Sequence, residues 1–140
     1  MEIFVAIIFF AFLISISWTD FRTQIIYDKV LLAMAAVGIF FDACNLLIDL
    51  KSAILFSALS FVLMFLIFKI SRGGMGGGDV KFSAVLGLWL GEKIFAAIFF
   101  ASCLAASFAI IYFIKNRDLK SKLPFGPFLS AGSFFAYLSG

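Results

Sequence analysis

Acid–base chemistry in this chain must come mainly from its carboxylates. The chain has 140 residues, eight Asp and Glu, and no histidine. The absence of His excludes Ser-His-Asp and Cys-His catalysis and the HExxH type of zinc site. Two of the acids stand out by position. Asp79 closes the glycine run Gly73-Gly74-Met75-Gly76-Gly77-Gly78, and Asp20 ends the first apolar segment, in Ser17-Trp18-Thr19-Asp20. A pair of carboxylates can hydrolyse an amide if one activates water while the other hydrogen-bonds the carbonyl. That chemistry requires Asp20 and Asp79 to meet.

The remaining acids have other readings. Glu2, Asp49 and Glu92 fall at the outer ends of apolar segments, and Asp118 lies in a basic loop, so solvation accounts for them. Asp28 precedes an apolar run, where an Asp accepts bonds from free backbone N–H groups as an N-cap. Asp42 lies within the run Phe40-Phe41-Asp42-Ala43-Cys44-Asn45. An intramembrane acid is by default a functional candidate, but a polar pair with Asn45 near the outer interface explains it equally well.

The glycine run has three competing readings. A P-loop ends in Gly-Lys-Ser/Thr, whereas Asp79 follows Gly78, and a GxGxxG register started at Gly74 or Gly76 reaches Asp79 or Lys81 at its sixth position. A carboxylate would also repel phosphate, which argues against nucleotide binding. A flexible linker would carry Ser and other hydrophilic filler. The third reading is a bare backbone edge: glycine permits close approach of a second chain and unusual dihedrals, and irregular backbone at membrane depth survives where it lines a cavity. An extended peptide beside a carboxylate fits that edge.

The elements that must position the acids are membrane helices. The chain is 64% hydrophobic and 14% charged, with 21 Phe, far from the usual soluble composition. So short a chain cannot hide that much apolar surface in a water-soluble core. Apolar segments fall at about 3–19, 30–48, 53–70, 82–90, 94–114 and 125–139. A spanning helix needs about 20 residues, so the fourth must begin back near Asp79. The expected fold is all-α: a polytopic membrane protein of about six transmembrane helices, forming a single domain over residues 1–140. The first segment carries Glu2 and no preceding Lys or Arg, which favours a retained helix over a signal peptide. Cys44 and Cys103 lack metal-ligand spacing and read as small membrane-buried hydrophobes.

Lys and Arg orient the chain. With the N-terminus outside, all eleven basic residues except Lys51 and Lys93 fall in cytoplasmic segments: Arg22 and Lys29; Lys69, Arg72 and Lys81; Lys115, Arg117, Lys120 and Lys122. Asp20 and Asp79 then lie at the same cytoplasmic level. A net charge of +3 suits anionic lipid heads and asks for no nucleic acid.

Gly76-Gly77-Gly78-Asp79 fits the GxGD motif of polytopic aspartic proteases. With Trp18-Thr19-Asp20-Phe21-Arg22 and Tyr27-Asp28 upstream, and Pro124-Phe125-Gly126-Pro127 downstream, the chain resembles the type IV prepilin peptidase family from about residue 15 onward. The resemblance implies Asp20 and Asp79 as the catalytic pair, Lys81 as the basic residue after GxGD, and Pro124 to Pro127 as the turn opening the last helix. Gly76, Gly77, Gly78 and Lys81 become candidate substrate contacts. The implied substrates are pilin-like precursors, whose basic leader precedes an apolar helix; the enzyme would need no metal or cofactor. Tyr27 stands where the family often has Pro, which predicts only a local change in the turn. Larger family members carry an N-terminal methyltransferase domain with paired CxxC motifs; neither appears here, so the resemblance implies peptidase activity alone. The alternatives are an ion-coupled transporter or channel, which usually places broken helices in repeat-related pairs near the midplane, and a non-catalytic pilus-assembly factor.

Overall fold

A computed structural model describes residues 1–72, 76–116 and 125–139. Among them are six α-helices: α1 (Glu2–Thr23), α2 (Asp28–Ala43), α3 (Leu50–Ile70), α4 (Gly77–Leu90), α5 (Ile94–Asn116) and α6 (Gly126–Leu138). The protein is all-α, and three helical stretches are long and apolar enough to cross a membrane: Glu2–Thr23, Leu50–Ile70 and Gly77–Lys115. The third holds both α4 and α5. A 3₁₀ turn at Gly91–Lys93 separates them, entered at Gly91 with φ 58, a backbone angle that only glycine adopts cheaply. The chain reverses there, because α5 returns to pair antiparallel with α6 (Phe108 against Phe128, Gly132 against Ala97 and Ala101).

Helix α4 is the centre of the bundle. Nearly every residue from Asp79 to Leu90 is buried, as expected for a helix apolar on all faces. Trp89 anchors its far end: its indole N–H donates to the Met34 carbonyl at 3.0 Å, and its ring stacks on Phe9 with centroids 5.2 Å apart. Gly38 makes room for the indole, since a Cβ there would fall 2.7 Å from Nε1. On its other flank α4 lies against α3. Ser57 donates to the Ala84 carbonyl at 2.7 Å and Ser60 to the Ser83 carbonyl at 3.1 Å. Small residues and hydroxyl bonds of this kind hold helices together where lipid offers no hydrophobic drive. The outer faces of α3 and α5 expose Ile54, Val62, Phe99 and Ile110, the surface a lipid-facing helix presents.

Two boundaries differ from the sequence expectation. The second apolar segment was expected to run to residue 48, but α2 stops at Ala43. Asn45 turns left-handed (φ 55), its N–H bonds to the Asp42 carbonyl and the Leu46 N–H to the Phe41 carbonyl, the double bond pattern that ends helices. The second concerns Asp28, which is not the N-cap of α2. Tyr27 holds that position, no side chain caps the helix, and Asp28 is its first residue. Tyr27 has φ −71, close to the angle a proline ring would impose. The expected local change in that turn is therefore slight.

Candidate active site

Asp20 sits in the last turn of α1 and Asp79 in the first turn of α4. Both are buried, at 4% and 6% exposure. They lie at one end of the bundle, within electrostatic reach of each other. The fold thus brings the two acids singled out in the sequence to the same end of the bundle.

Different devices hold the two carboxylates. Asp20 Oδ2 accepts a bond of 2.8 Å from the backbone N–H of Gly126, the first residue of α6. The first N–H groups of a helix have no partner within it, and its N-terminus favours an anion. Only glycine fits at 126, because a Cβ there would collide with the Asp20 carboxylate. Asp79 is placed by its own helix start. Gly76 is extended (φ −77, ψ 144), and its carbonyl accepts the Asp79 N–H at 3.2 Å. Asp79 Oδ1 is buried with no hydrogen-bond partner among the described residues. It is the side of the dyad left free to bond something else.

The glycines divide the work differently from the sequence expectation. None of Gly76, Gly77 and Gly78 has a positive φ, so unusual dihedrals are not their purpose. Gly77 has open space on its side-chain face, whereas a Cβ on Gly78 would come within 3.2 Å of Ile26. Gly77 therefore keeps an edge bare, and Gly78 lets the α1–α2 turn approach α4. Gly73, Gly74 and Met75 lie outside the described residues.

Lys81 pairs with Asp28, Nζ to Oδ1 at 3.2 Å and to Oδ2 at 3.3 Å. The pair is solvent-exposed and ties the start of α2 to α4 beside Asp79. Asp42 is remote from the dyad, at the opposite end of α2. It is 1% exposed, and its Oδ1 accepts the Ile48 N–H at 3.2 Å. Asn45 meets Asp42 through backbone rather than as a polar side-chain pair. Glu2, Asp49 and Glu92 are exposed. Cys44 and Cys103 are free thiols on the outside of the bundle. Asp118 and Pro124 lie outside the described residues. No group of three or more Cys, Asp or Glu side chains comes together to hold a metal ion among the described residues.

The sequence marks Gly126 only as part of the turn that opens the last helix. A glycine directly before Pro127, at a helix start, was the available signal.

The family model described as the type IV leader peptidase family matches residues 7–111. The chain belongs to that family. It is 37% identical, over its whole length, to a prepilin leader peptidase/N-methyltransferase of Bacillus subtilis, covering 57% of that protein. A protein of the same name from Xanthomonas campestris pv. campestris is 33% identical over 98% of this chain and 50% of its own length. A third, from Escherichia coli, is 30% identical over 90% and 59% respectively. The chain thus spans about half the length of these curated relatives. No solved structure matches it. The matched family region contains Asp20 and Asp79 but stops short of Gly126.

Proposed function

We propose that this protein is a membrane aspartic endopeptidase that removes the short basic leader from type IV prepilin-like precursors. The observation that carries this reading is the pair of buried carboxylates, Asp20 and Asp79, delivered to one end of the bundle by helices distant in sequence. Two carboxyl groups brought together hold one proton between them. The ionised member takes a proton from a water molecule, whose oxygen attacks the scissile carbonyl carbon. The protonated member hydrogen-bonds the carbonyl oxygen. As the tetrahedral intermediate collapses, a carboxyl proton passes to the amide nitrogen, the C–N bond breaks, and the leader leaves as a carboxylic acid. The pair acts as a titrating unit. Gly126 fixes one carboxylate, and the bare edge at Gly77 gives an extended peptide room beside the other.

In this reading residues 1–140 form one domain of about six spans in the cytoplasmic membrane, with the N-terminus outside and the dyad at the cytoplasmic face. A basic leader stays cytoplasmic by the positive-inside rule, which brings its junction with the apolar helix to the level of Asp20 and Asp79.

The test is cleavage of a leader-bearing precursor by the purified chain in lipid. Asp20→Asn and Asp79→Asn are each expected to lower the rate by roughly 10²–10⁴-fold, the range for a lost acid–base group, while helical content is retained. Asp42→Asn, remote from the dyad, is expected to stay within a few-fold of the parent. Normal cleavage by either dyad variant removes the mechanism, and total loss in a folded Asp42→Asn variant relocates it.

A further inference from the structure

A groove of about 580 Å³ opens between α1 and α6. Its walls are almost wholly apolar, with Phe10, Ile14 and Trp18 on α1 and Pro127, Ala131 and Phe134 on α6. Those residues recur at helical spacing, and from Phe10 to Phe21 the groove follows about three turns of α1. It is open sideways to lipid: Ile14 is 69% exposed, Trp18 62% and Phe21 70%. A helix already in the bilayer can enter it without threading the bundle.

Two features distinguish this groove from an ordinary lipid-facing furrow. One end lies beside Asp20, since its lining residues Ser17 and Phe21 flank Asp20 on α1, and Pro127 directly follows the Gly126 that binds the Asp20 carboxylate. Its α6 wall also holds Ser130, which is 6% exposed and whose hydroxyl has no partner among the described residues. Other helical serines here bond back one turn, as Ser133 does to Leu129 at 2.7 Å and Ser107 to Cys103 at 2.8 Å. A polar group without a partner is costly in hydrocarbon, and so is the backbone of a helix unwound for cleavage. Each satisfies the other. Ser130 lies one helical turn from Gly126 and hence from Asp20.

Resting on the peptidase reading, we propose that the α1–α6 groove seats the apolar helix that follows the scissile bond. The Ser130 hydroxyl bonds a backbone group freed as that helix unwinds at its first turn. An acyl chain is the competing occupant, but it has no backbone group to offer Ser130 and no reason to end at a carboxylate.

The test compares two substrates: the full precursor, and a soluble peptide that spans the scissile bond but lacks the apolar helix. Ala131→Phe fills the groove. The ratio of kcat/KM for the precursor to that for the peptide is expected to fall at least ~10-fold, equivalent to about 1.4 kcal/mol of lost helix binding. Ser130→Ala should lower the same ratio in the same direction. Val62→Phe, on the exposed face of α3, should leave the ratio as in the parent. A benzophenone placed on the precursor's apolar helix should crosslink to α1 and α6, and Ala131→Phe should abolish those crosslinks. An unchanged ratio with crosslinks on other helices overturns the proposal and leaves the groove to lipid. If the parent chain cleaves neither substrate, the peptidase reading falls instead, and the crosslinks alone decide the groove.

Discussion

At the scale of single residues, the proposed dyad rests on a glycine as well as on two aspartates. The Gly126 N–H holds Asp20 Oδ2 at 2.8 Å, and any side chain at 126 would strike that carboxylate. In Gly126→Ala the start of α6 or the Asp20 rotamer must shift. Misplacement of a reacting group by about 1 Å can cost about 10²-fold in rate, so kcat for precursor cleavage should fall roughly 10–10²-fold. KM should change less than kcat, because Gly126 contacts the Asp20 carboxylate and does not itself line the α1–α6 groove. Steady-state kinetics separate the two, and an unchanged kcat would show that Asp20 needs no donor from α6. Asp20 and Asp79 were legible in the sequence because acids are rare in apolar helices and charge asymmetry puts both at one level. Gly126 was not, since its bond spans 106 positions and uses a backbone group with no side-chain signature. The Asp28–Lys81 pair was hidden similarly: each partner had a sufficient local explanation, one as a helix cap and the other as a substrate contact.

At the scale of elements, the α3–α4 contact sets where Asp79 sits. At Gly87 the two backbones come close: a Cβ there would lie 2.6 Å from Ser57 Cα and 2.8 Å from its nitrogen. Backbone cannot rotate aside as a side chain can, so Gly87→Ala must push α3 and α4 apart. The expected loss is about 1–3 kcal/mol, the usual cost of overpacking, despite alanine's better helix propensity. Gly77→Ala, which meets nothing within 4 Å, should remain within about 1 kcal/mol of the parent. Unfolding of the two variants in mixed micelles, followed by circular dichroism, checks the contrast; equal stability would mean the helices separate without penalty. Hydropathy made the helices legible, including the short α4 that had to start inside the glycines. It failed at the end of α2, because Leu46, Leu47 and Ile48 prolong the apolar run past the true stop. The cue there was chemical: Asn45 tolerates the left-handed conformation, and the Asp42 carboxylate takes the Ile48 N–H. The small-residue and hydroxyl contacts between helices were not legible, since no local pattern says which small residue faces which helix.

At the scale of the whole molecule, the dyad end of the bundle also gathers charge. Arg22, Lys69 and Lys115 lie in the last turns of α1, α3 and α5, and Lys29 and Lys81 near the starts of α2 and α4. Lys51 and Lys93 lie at the opposite end, near the start of α3 and in the turn after α4. Arg22 also rests over the Trp18 ring at 5.1 Å and Lys69 over Phe65 at 5.1 Å, stems along apolar surface with heads free to reach the interface. This distribution supports the proposed orientation, with the dyad toward the cytoplasm, by the positive-inside rule. Cys44 offers a native reporter, exposed just beyond α2 at the end away from the dyad. In a Cys103→Ser chain, a membrane-impermeant maleimide should label Cys44 in intact spheroplasts. In a chain with both native cysteines replaced by serine, Arg72→Cys, exposed at the dyad end of α3, should label only after permeabilisation. The reverse pattern would place the dyad outside the cell. A precursor whose basic leader is retained in the cytoplasm could then not present its junction to Asp20 and Asp79, so this labelling experiment tests the proposed substrate as well as the orientation.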